Sequence, residues 1–582
     1  MKKIMLGNEA VARGLYEAGC RLVSSYPGTP STEITEYAAE YDEIYAEWAP
    51  NEKVAFETAL GTSIAGGRSF CGMKHVGLNV AADPLFIGSY VGVNGGMVIG
   101  VADDPGMHSS QNEQDSRHYA RASKTPMLEP ADSEECLLYT KEAFELSEEF
   151  NTPVLIRLST RISHSQSVTE PGERIARPLK EYIKDPSKYV MMPGNARGRH
   201  VIAEERLKKL TEYSENCKFN KIEYGKNKKL GIITSGISYQ YAKETFGDEA
   251  SYLKLGLVFP LPVKLIAEFA ENSERVIVIE ELDDYIETHC KKSGINVEGK
   301  NILPLCGEFS QEVLAEKLLN KKAEYTSLDV QIPVRPPVLC PGCPHRGVFY
   351  IFKKLKLYVS GDIGCYTLGA NPPLNGMDTT LCMGASVSAL HGYNKARGIE
   401  SAQKSVAVIG DSTFIHSGIT GLINITYNKG ISTIVIVDNS ITGMTGHQEN
   451  PCTGRTLKGE LVHGIMLENI CMAAGVKKEH IRVADPNEIE EFEKILKEEL
   501  IAEEPSVVIA RRPCVLLKYV KRASPCVIEN DKCAGCRSCM NIGCPSISIN
   551  KTDKKAVIDV TLCTGCGLCG KLCRFGAIKT GG

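Results

Sequence analysis

AVIGDSTFIHSGITGLINITYNKGISTIVIVDNSITGMTGHQ (407–448) is the stretch whose reading decides the fold. One apolar run ends in Gly410-Asp411, a helical segment follows, and a second apolar run ends in Asp438-Asn439. Short buried strands joined through a helix pair in parallel, because the crossover returns the chain to the same end of the sheet. Both polar pairs then fall at the carboxyl ends of neighbouring strands, where open α/β sheets bind ligands. A carboxylate and an amide at that edge suit Mg²⁺, which prefers oxygen ligands and phosphate.

The same rhythm runs outward along the chain. GNEAVARGLYEAG (7–19) predicts an amphipathic helix closed by Gly19, and RLVSSYPGTP (21–30) a strand running into a loop. MVIGVADDPG (97–106) and TPVLIRLST (152–160) read as buried strands of a sheet covered on both faces. KEYIKDPSKY and NKIEYGKNKK mark a charged connector with a helix of its own. LGIITSG (230–236) and RVIVIEEL (275–282) belong to a smaller α/β segment, and the Pro-rich IPVRPPVLCPGCPHRG (332–347) opens the next. The expected divisions are 1–190, 191–228 (connector), 229–330, 331–524 and a cysteine-rich tail, 525–582.

At 582 residues the chain is too long for one core. A formal net charge of −4 gives no footing for nucleic acid. The most apolar region, 76–102, is broken by Asn79, Asp83, Pro84 and Asn94, which argues against a membrane span. The start reaches Asn8 and Glu9 before any useful apolar length, so no secretory signal is expected and the protein reads as cytoplasmic.

Of the 22 cysteines, eight fall at repeated spacings that in a reducing compartment mean metal or cluster binding. Most of the scattered remainder read as buried small hydrophobes. The tail repeats CAGCRSCMNIGCP (533–545) and CTGCGLCGKLC (563–573). In bacterial-type ferredoxins three closely spaced cysteines hold one 4Fe–4S cluster and the fourth ligand crosses from the other repeat. That assigns Cys533, Cys536, Cys539 and Cys573 to one cluster, and Cys563, Cys566, Cys569 and Cys544 to the other. The first repeat departs by having four residues between Cys539 and Cys544, the second by carrying Arg574 where proline is usual. Neither departure removes a ligand.

The 407–448 stretch resembles the thiamine diphosphate signature, GDG followed by NN, with Ser412 replacing the second Gly and Asp438 the first Asn. The resemblance implies that Asp411, Asn439 and the backbone carbonyl of Ile441 hold Mg²⁺ against the diphosphate. It also implies that Gly384, Gly410, Ser412, Asp438 and His447 surround the cofactor. Thiamine diphosphate further requires a carboxylic acid beside its aminopyrimidine, on a different domain. The candidate is Glu57 in NEKVAFETALGTSIAGGRS (51–69), expected to be partly buried among Ala55, Phe56 and Ala59. Read without the resemblance, it is an ordinary helix glutamate on a solvated face.

Taken end to end, the chain resembles the 2-oxoacid:ferredoxin oxidoreductases. The resemblance rests on SYPGTPSTE (25–33), the Glu57 segment, KHVGLNVAADP (74–84), ADDPGMHSSQNEQDSR (102–117), CPGCPHRG (340–347), SGDIGCYTLG (360–369), GDSTFIHSG (410–418), DNSITGMTGHQ (438–448) and the tail. It implies a multidomain α/β fold: two three-layer thiamine diphosphate-binding domains with parallel sheets, a transketolase C-terminal-like α/β domain, and an α+β two-cluster ferredoxin domain. It implies a substrate contact at Thr29 and active-site roles for His75 and His447. Where pyruvate-specific relatives bind the substrate carboxylate with an arginine, this chain reads Asp103-Asp104. A third 4Fe–4S cluster near the thiamine would use Cys340, Cys343, Cys365 and Cys514, against the alternative that CPGCP is a turn with incidental thiols.

The implied activity is oxidative decarboxylation of an aryl 2-oxoacid such as indolepyruvate, with coenzyme A taking the acyl group and ferredoxin the electrons. A smaller beta subunit in an α2β2 assembly is implied as partner. The alternatives are a pyruvate or branched-chain 2-oxoacid as substrate, a non-oxidative thiamine decarboxylase, or an electron-transfer scaffold subunit.

Overall fold

Mostly apolar runs of four to seven residues build the central strands of the two large sheets, and these runs end where polar residues begin. The computed structural model describes residues 1–325 and 329–581. They fall into two units, Met1–Asp329 and Val330–Gly582.

In the first unit a seven-stranded sheet has the order Leu257–Phe259, Met127–Leu128, Val154–Ser159, Met97–Asp103, Ser69–Lys74, Leu22–Ser25, Tyr45–Trp48. All neighbours pair in parallel except Leu257–Phe259 with Met127–Leu128. The central parallel strands Met97–Asp103 and Val154–Ser159 are buried on both faces, as continuous apolar runs such as MVIGVAD require. A four-stranded sheet follows, ordered Arg275–Ile279, Leu230–Ser235, Ser251–Leu255, Lys221–Glu223, with the last strand antiparallel.

Composition divides this unit at 190 and 228, but packing does not. Strand Leu257–Phe259 extends the first sheet, and Phe56, Met97 and Ile99 share one core with Ile233, Leu253 and Val278. The charged connector is the helix Pro193–Glu215. It is anchored by Arg199 Nε donating to the Tyr90 carbonyl at 2.7 Å and Arg206 Nη2 donating to the Ser89 carbonyl at 2.6 Å. A buried ion network adds a polar tie, with Arg117 paired to Asp115 and to Glu280 at 2.5 and 2.6 Å.

In the second unit six parallel strands have the order Thr379–Thr380, Tyr358–Gly361, Ser405–Gly410, Thr433–Asp438, Ser506–Arg511, Ile481–Ala484. The tail forms two short antiparallel pairs, Val527–Ile528 with Ile578–Lys579 and Ile547–Ile549 with Ala556–Ile558. It is not a detached appendage: Cys539, Ile542 and Leu568 lie in one core with Val348, Phe349 and Phe352.

Candidate cofactor and electron-transfer site

Strands Ser405–Gly410 and Thr433–Asp438 run side by side with Gly410 opposite Val437, so Asp411 and Asn439 leave the sheet together. Asp411 is 2% exposed. The terminal amide atom of Asn439 that faces it lies 3.2 Å from Asp411 Oδ1 and 2.7 Å from the Ile441 carbonyl oxygen. With nitrogen in that position the amide donates to both; with oxygen there, three oxygens converge on one point. Ligands 2.0–2.1 Å from an octahedral Mg²⁺ sit about 2.9 Å from their cis neighbours. The observed spacings straddle that value, so the donor set fits the ion.

Burial, and after it the Asp438 carboxylate, pushes Asp411 up to about 7. Metal must displace that proton. Mg²⁺ affinity of the metal-free chain is therefore expected to rise about tenfold per pH unit below pH 7 and to level off above it. Titration with Mg²⁺ or Mn²⁺ from pH 5.5 to 8.5 measures this, and a flat acid limb contradicts it.

Asp438 itself does not join the oxygen cluster. Its Oδ2 accepts from Arg511 Nε at 2.7 Å and its Oδ1 from the Ser440 amide at 3.1 Å, while Glu468 grips Arg511 from its other side. Its side chain, expected from the sequence to face the cofactor, is neutralised in this ion pair. Ser412 Oγ accepts from Thr442 Oγ1 at 3.0 Å, tying the two loops together. Asn450, which sequence reasoning missed, donates to Asp411 Oδ2 at 3.1 Å.

Gly384 has φ +83°, and a Cβ there would lie 2.5 Å from Ser417 Cβ. Its amide donates to Asp362 Oδ1 at 2.9 Å, so its contribution is close approach rather than a spare donor.

The four scattered cysteines come together beside these loops. Burial first, and then Cys340 and Cys365, push the Cys343 thiol up to about 12. Burial and the thiols of Cys514 and Cys340 push Cys365 to about 11, and burial with Cys340 raises Cys514. The Cys514 amide donates to the Asn439 carbonyl at 2.9 Å, and a Cβ on Gly443 would lie 3.3 Å from Cys365 Sγ. His447, at φ +72°, has Nε2 4.0 Å from Cys514 Sγ.

In the tail, Cys539 is raised by burial and then by Cys573, Cys536 and Cys533. Cys566 is raised by burial and then by Cys544 and Cys563; Cys569 by burial and then by Cys526, Cys566 and Cys544. The thiols thus gather in two sets whose fourth members cross between repeats. Backbone amides point at two of the sulfurs: Cys526 N–H at Cys563 Sγ (3.4 Å) and Ala577 N–H at Cys573 Sγ (3.3 Å). Arg346 joins the two cysteine regions of this unit. It donates to the carbonyls of Leu339 and Cys340 on one side and of Ile542 and Gly543 on the other.

In the first unit, the carboxyl ends of Leu22–Ser25, Ser69–Lys74 and Met97–Asp103 carry the Thr29 loop, His75 and Asp104. Thr29 is half-buried and its carbonyl accepts from Ser109 Oγ at 3.2 Å. His75 is 1% exposed, with Nε2 3.1 Å from the Asn112 carbonyl and Nδ1 buried and, among the described residues, without a hydrogen-bond partner.

Glu57 does not have the expected environment. Its side chain is 48% exposed and ion-paired to Lys53 at 2.5 Å, one turn away on the solvated face of helix Glu52–Ile64. The buried carboxylate of that helix is Glu52, 4% exposed, in its first turn behind the Asn51 cap, which accepts from the Val54 amide. A Cβ at Gly77 would lie 2.5 Å from Glu52 Oε1, so the chain after strand Ser69–Lys74 approaches this side chain closely.

Among the described residues no helix is long and apolar enough to cross a membrane. Three families match along the chain. They are pyruvate flavodoxin/ferredoxin oxidoreductase, thiamine diphosphate-binding (residues 13–216); thiamine pyrophosphate enzyme, C-terminal TPP binding domain (362–510); and 4Fe-4S binding domain (556–579). With the folds and loops above, they define a thiamine-dependent 2-oxoacid:ferredoxin oxidoreductase carrying an iron–sulfur domain. Indolepyruvate oxidoreductase subunit IorA of Archaeoglobus fulgidus is 40% identical over 615 residues, covering 99% of this chain and 97% of its own. The subunits of the same name from Thermococcus kodakarensis and Methanothermobacter marburgensis are also 40% identical, over 99% of this chain and 96% and 97% of theirs. The chain belongs to the indolepyruvate oxidoreductase subunit IorA family.

Proposed function

We propose that the chain is the large, cofactor-bearing subunit of an enzyme that oxidatively decarboxylates aryl 2-oxoacids, indolepyruvate among them. Coenzyme A accepts the acyl group and ferredoxin the electrons. The observation that carries this reading is the contact between the Asp411/Asn439 loops and the Cys340/Cys343/Cys365/Cys514 set, through the 2.9 Å bond from the Cys514 amide to the Asn439 carbonyl. A decarboxylase that released no electrons would have no use for thiols gathered there.

Thiamine diphosphate, when bound, supplies the electron sink that lets the carboxyl group leave as carbon dioxide. Asp411, Asn439 and the Ile441 carbonyl would hold Mg²⁺ against its diphosphate, with Gly384 and Gly410 allowing close approach. Glu52 would hold a proton at the aminopyrimidine ring nitrogen, the role first sought in Glu57. Thr29 would hydrogen-bond the keto oxygen, and the unpartnered Nδ1 of His75 could accept a proton beside it. Three 4Fe–4S clusters, one on the Cys340 set and two on the tail, would carry single electrons outward. A smaller beta subunit completes the enzyme, as α2β2.

The test is a panel of indolepyruvate, phenylpyruvate, hydroxyphenylpyruvate and pyruvate, assayed with coenzyme A and ferredoxin on the complex with the smaller subunit. Aryl acids are expected to exceed pyruvate in kcat/KM by about tenfold or more. A preference for pyruvate moves the substrate assignment. Failure to oxidise any of them, with no thiamine diphosphate in the purified complex, favours the scaffold reading.

A further inference from the structure

The arginine that receives the substrate carboxylate in pyruvate-specific relatives has no counterpart at Asp103-Asp104. Both aspartates are committed. Asp103 pairs with Arg157 Nε at 2.7 Å and accepts from the Ser116 amide at 3.1 Å. Asp104 accepts from the Ser109 amide (2.8 Å), Ser110 Oγ (2.7 Å) and Thr160 Oγ1 (2.6 Å). A 2-oxoacid arriving at this edge brings a carboxylate that needs a cation, and most of the nearby cations are already matched. Arg117 is held by Asp115 and Glu280, Arg157 by Asp103 and Glu129, Arg161 by Glu308.

Lys74 is the exception. It ends the strand Ser69–Lys74, between the strands that carry the Thr29 loop and Asp104. Its aliphatic stem lies against Gly28, where a Cβ would come within 3.3 Å of Lys74 Cγ. That packing sets it beside the residue that precedes Thr29. Its ammonium donates to the Ser109 carbonyl at 3.3 Å, and among the described residues it forms no ion pair with a carboxylate. Ser109 Oγ in turn donates to the Thr29 carbonyl, so the Lys74 ammonium and the Thr29 backbone share one hydrogen-bonded loop. Burial is the largest influence on Lys74 and lowers its pKa, with Asp104 and Glu52 acting in the opposite sense. A half-buried ammonium without an ion-pair partner is costly, and an incoming carboxylate offsets that cost.

We propose that Lys74 binds the carboxylate of the 2-oxoacid, replacing the arginine of pyruvate-specific relatives from the neighbouring strand. An ammonium on a flexible stem imposes no planar fork on its partner, which leaves room for a carboxylate displaced by a bulky aryl group. The inference rests on the proposed 2-oxoacid activity but is tested by binding.

On the complex with the smaller subunit, dissociation constants are measured for indole-3-propionate and its uncharged amide, for the unsubstituted chain, Lys74→Met and Lys74→Arg. The unsubstituted chain is expected to prefer the acid, Lys74→Met to lose at least about tenfold for the acid alone, and Lys74→Arg to retain most of the preference. Equal losses for acid and amide, an acid affinity unchanged in Lys74→Met, or no preference in the unsubstituted chain each overturn the assignment. Oxidation of indolepyruvate by the unsubstituted complex, measured alongside, separates these results from failure of the proposed activity: if that oxidation is seen and the acid preference is not, only the role of Lys74 falls.

Discussion

Glu52→Gln is expected to lower kcat for 2-oxoacid oxidation by about a hundredfold or more, while Glu57→Gln stays within about twofold of the unsubstituted enzyme. The contrast follows from where one helix points two carboxylates. Five residues along an α-helix turn the side chain through about 140° net, so Glu52 and Glu57 cannot share a face. Glu52 lies buried against the approach of Gly77; Glu57 stands in solvent with Lys53. A carboxyl group that hydrogen-bonds a cofactor ring has to lie on the packed face of the helix, where water does not compete for the contact, and not on the face open to solvent. Thiamine diphosphate content of the two variants, measured with their turnover, separates lost activation from lost cofactor. Full activity in Glu52→Gln, or collapse in Glu57→Gln with cofactor retained, would reverse the assignment.

The second large effect concerns iron. Three clusters predict about twelve iron atoms per chain, against about eight if only the tail is loaded. Cys365→Ser is expected to remove about four and to cut ferredoxin reduction by about a hundredfold or more, while both tail clusters keep their low-temperature paramagnetic signals. Cys365 is the informative position because its sulfur lies beside Gly443, within the loop that carries Asn439. Iron near eight in the unsubstituted chain, prepared without air, would sink the third cluster. A Cys365→Ser variant with unchanged iron would show that the thiols gather there for another reason.

Much of this architecture is legible from residue order alone. Runs such as SVAVIG and TIVIVD are buried parallel strands because nothing in them tolerates water, and the polar pairs closing them mark the ligand-binding edge. The tail spacing is equally legible, since three closely spaced cysteines leave few options. What sequence could not supply is which face a neighbour covers. Helix Glu52–Ile64 has apolar residues around much of its circumference, and only the approach of Gly77 distinguishes Glu52 from Glu57. An aspartate in place of the signature's first asparagine reads as one of the residues around the cofactor until Arg511 is seen to pair with it. Strand Leu257–Phe259 crosses a hundred-odd residues to reach its partner, a pairing local patterns do not encode. The signals that could have helped were small: Asn51 as a helix cap directly before an acid, and a lysine closing a central strand.

Arg346 fastens the turn of Cys340 to the turn of Cys544 through four backbone carbonyls and, among the described residues, no side-chain hydrogen bond. A clamp made to main-chain oxygens is indifferent to the identity of the residues it holds and sensitive only to their positions. Were clusters to sit on both turns as proposed, hopping between them would fall steeply with gap width, and this one guanidinium would set the gap. Side chains in either turn can then change without altering what the arginine holds, because it holds only main-chain oxygens.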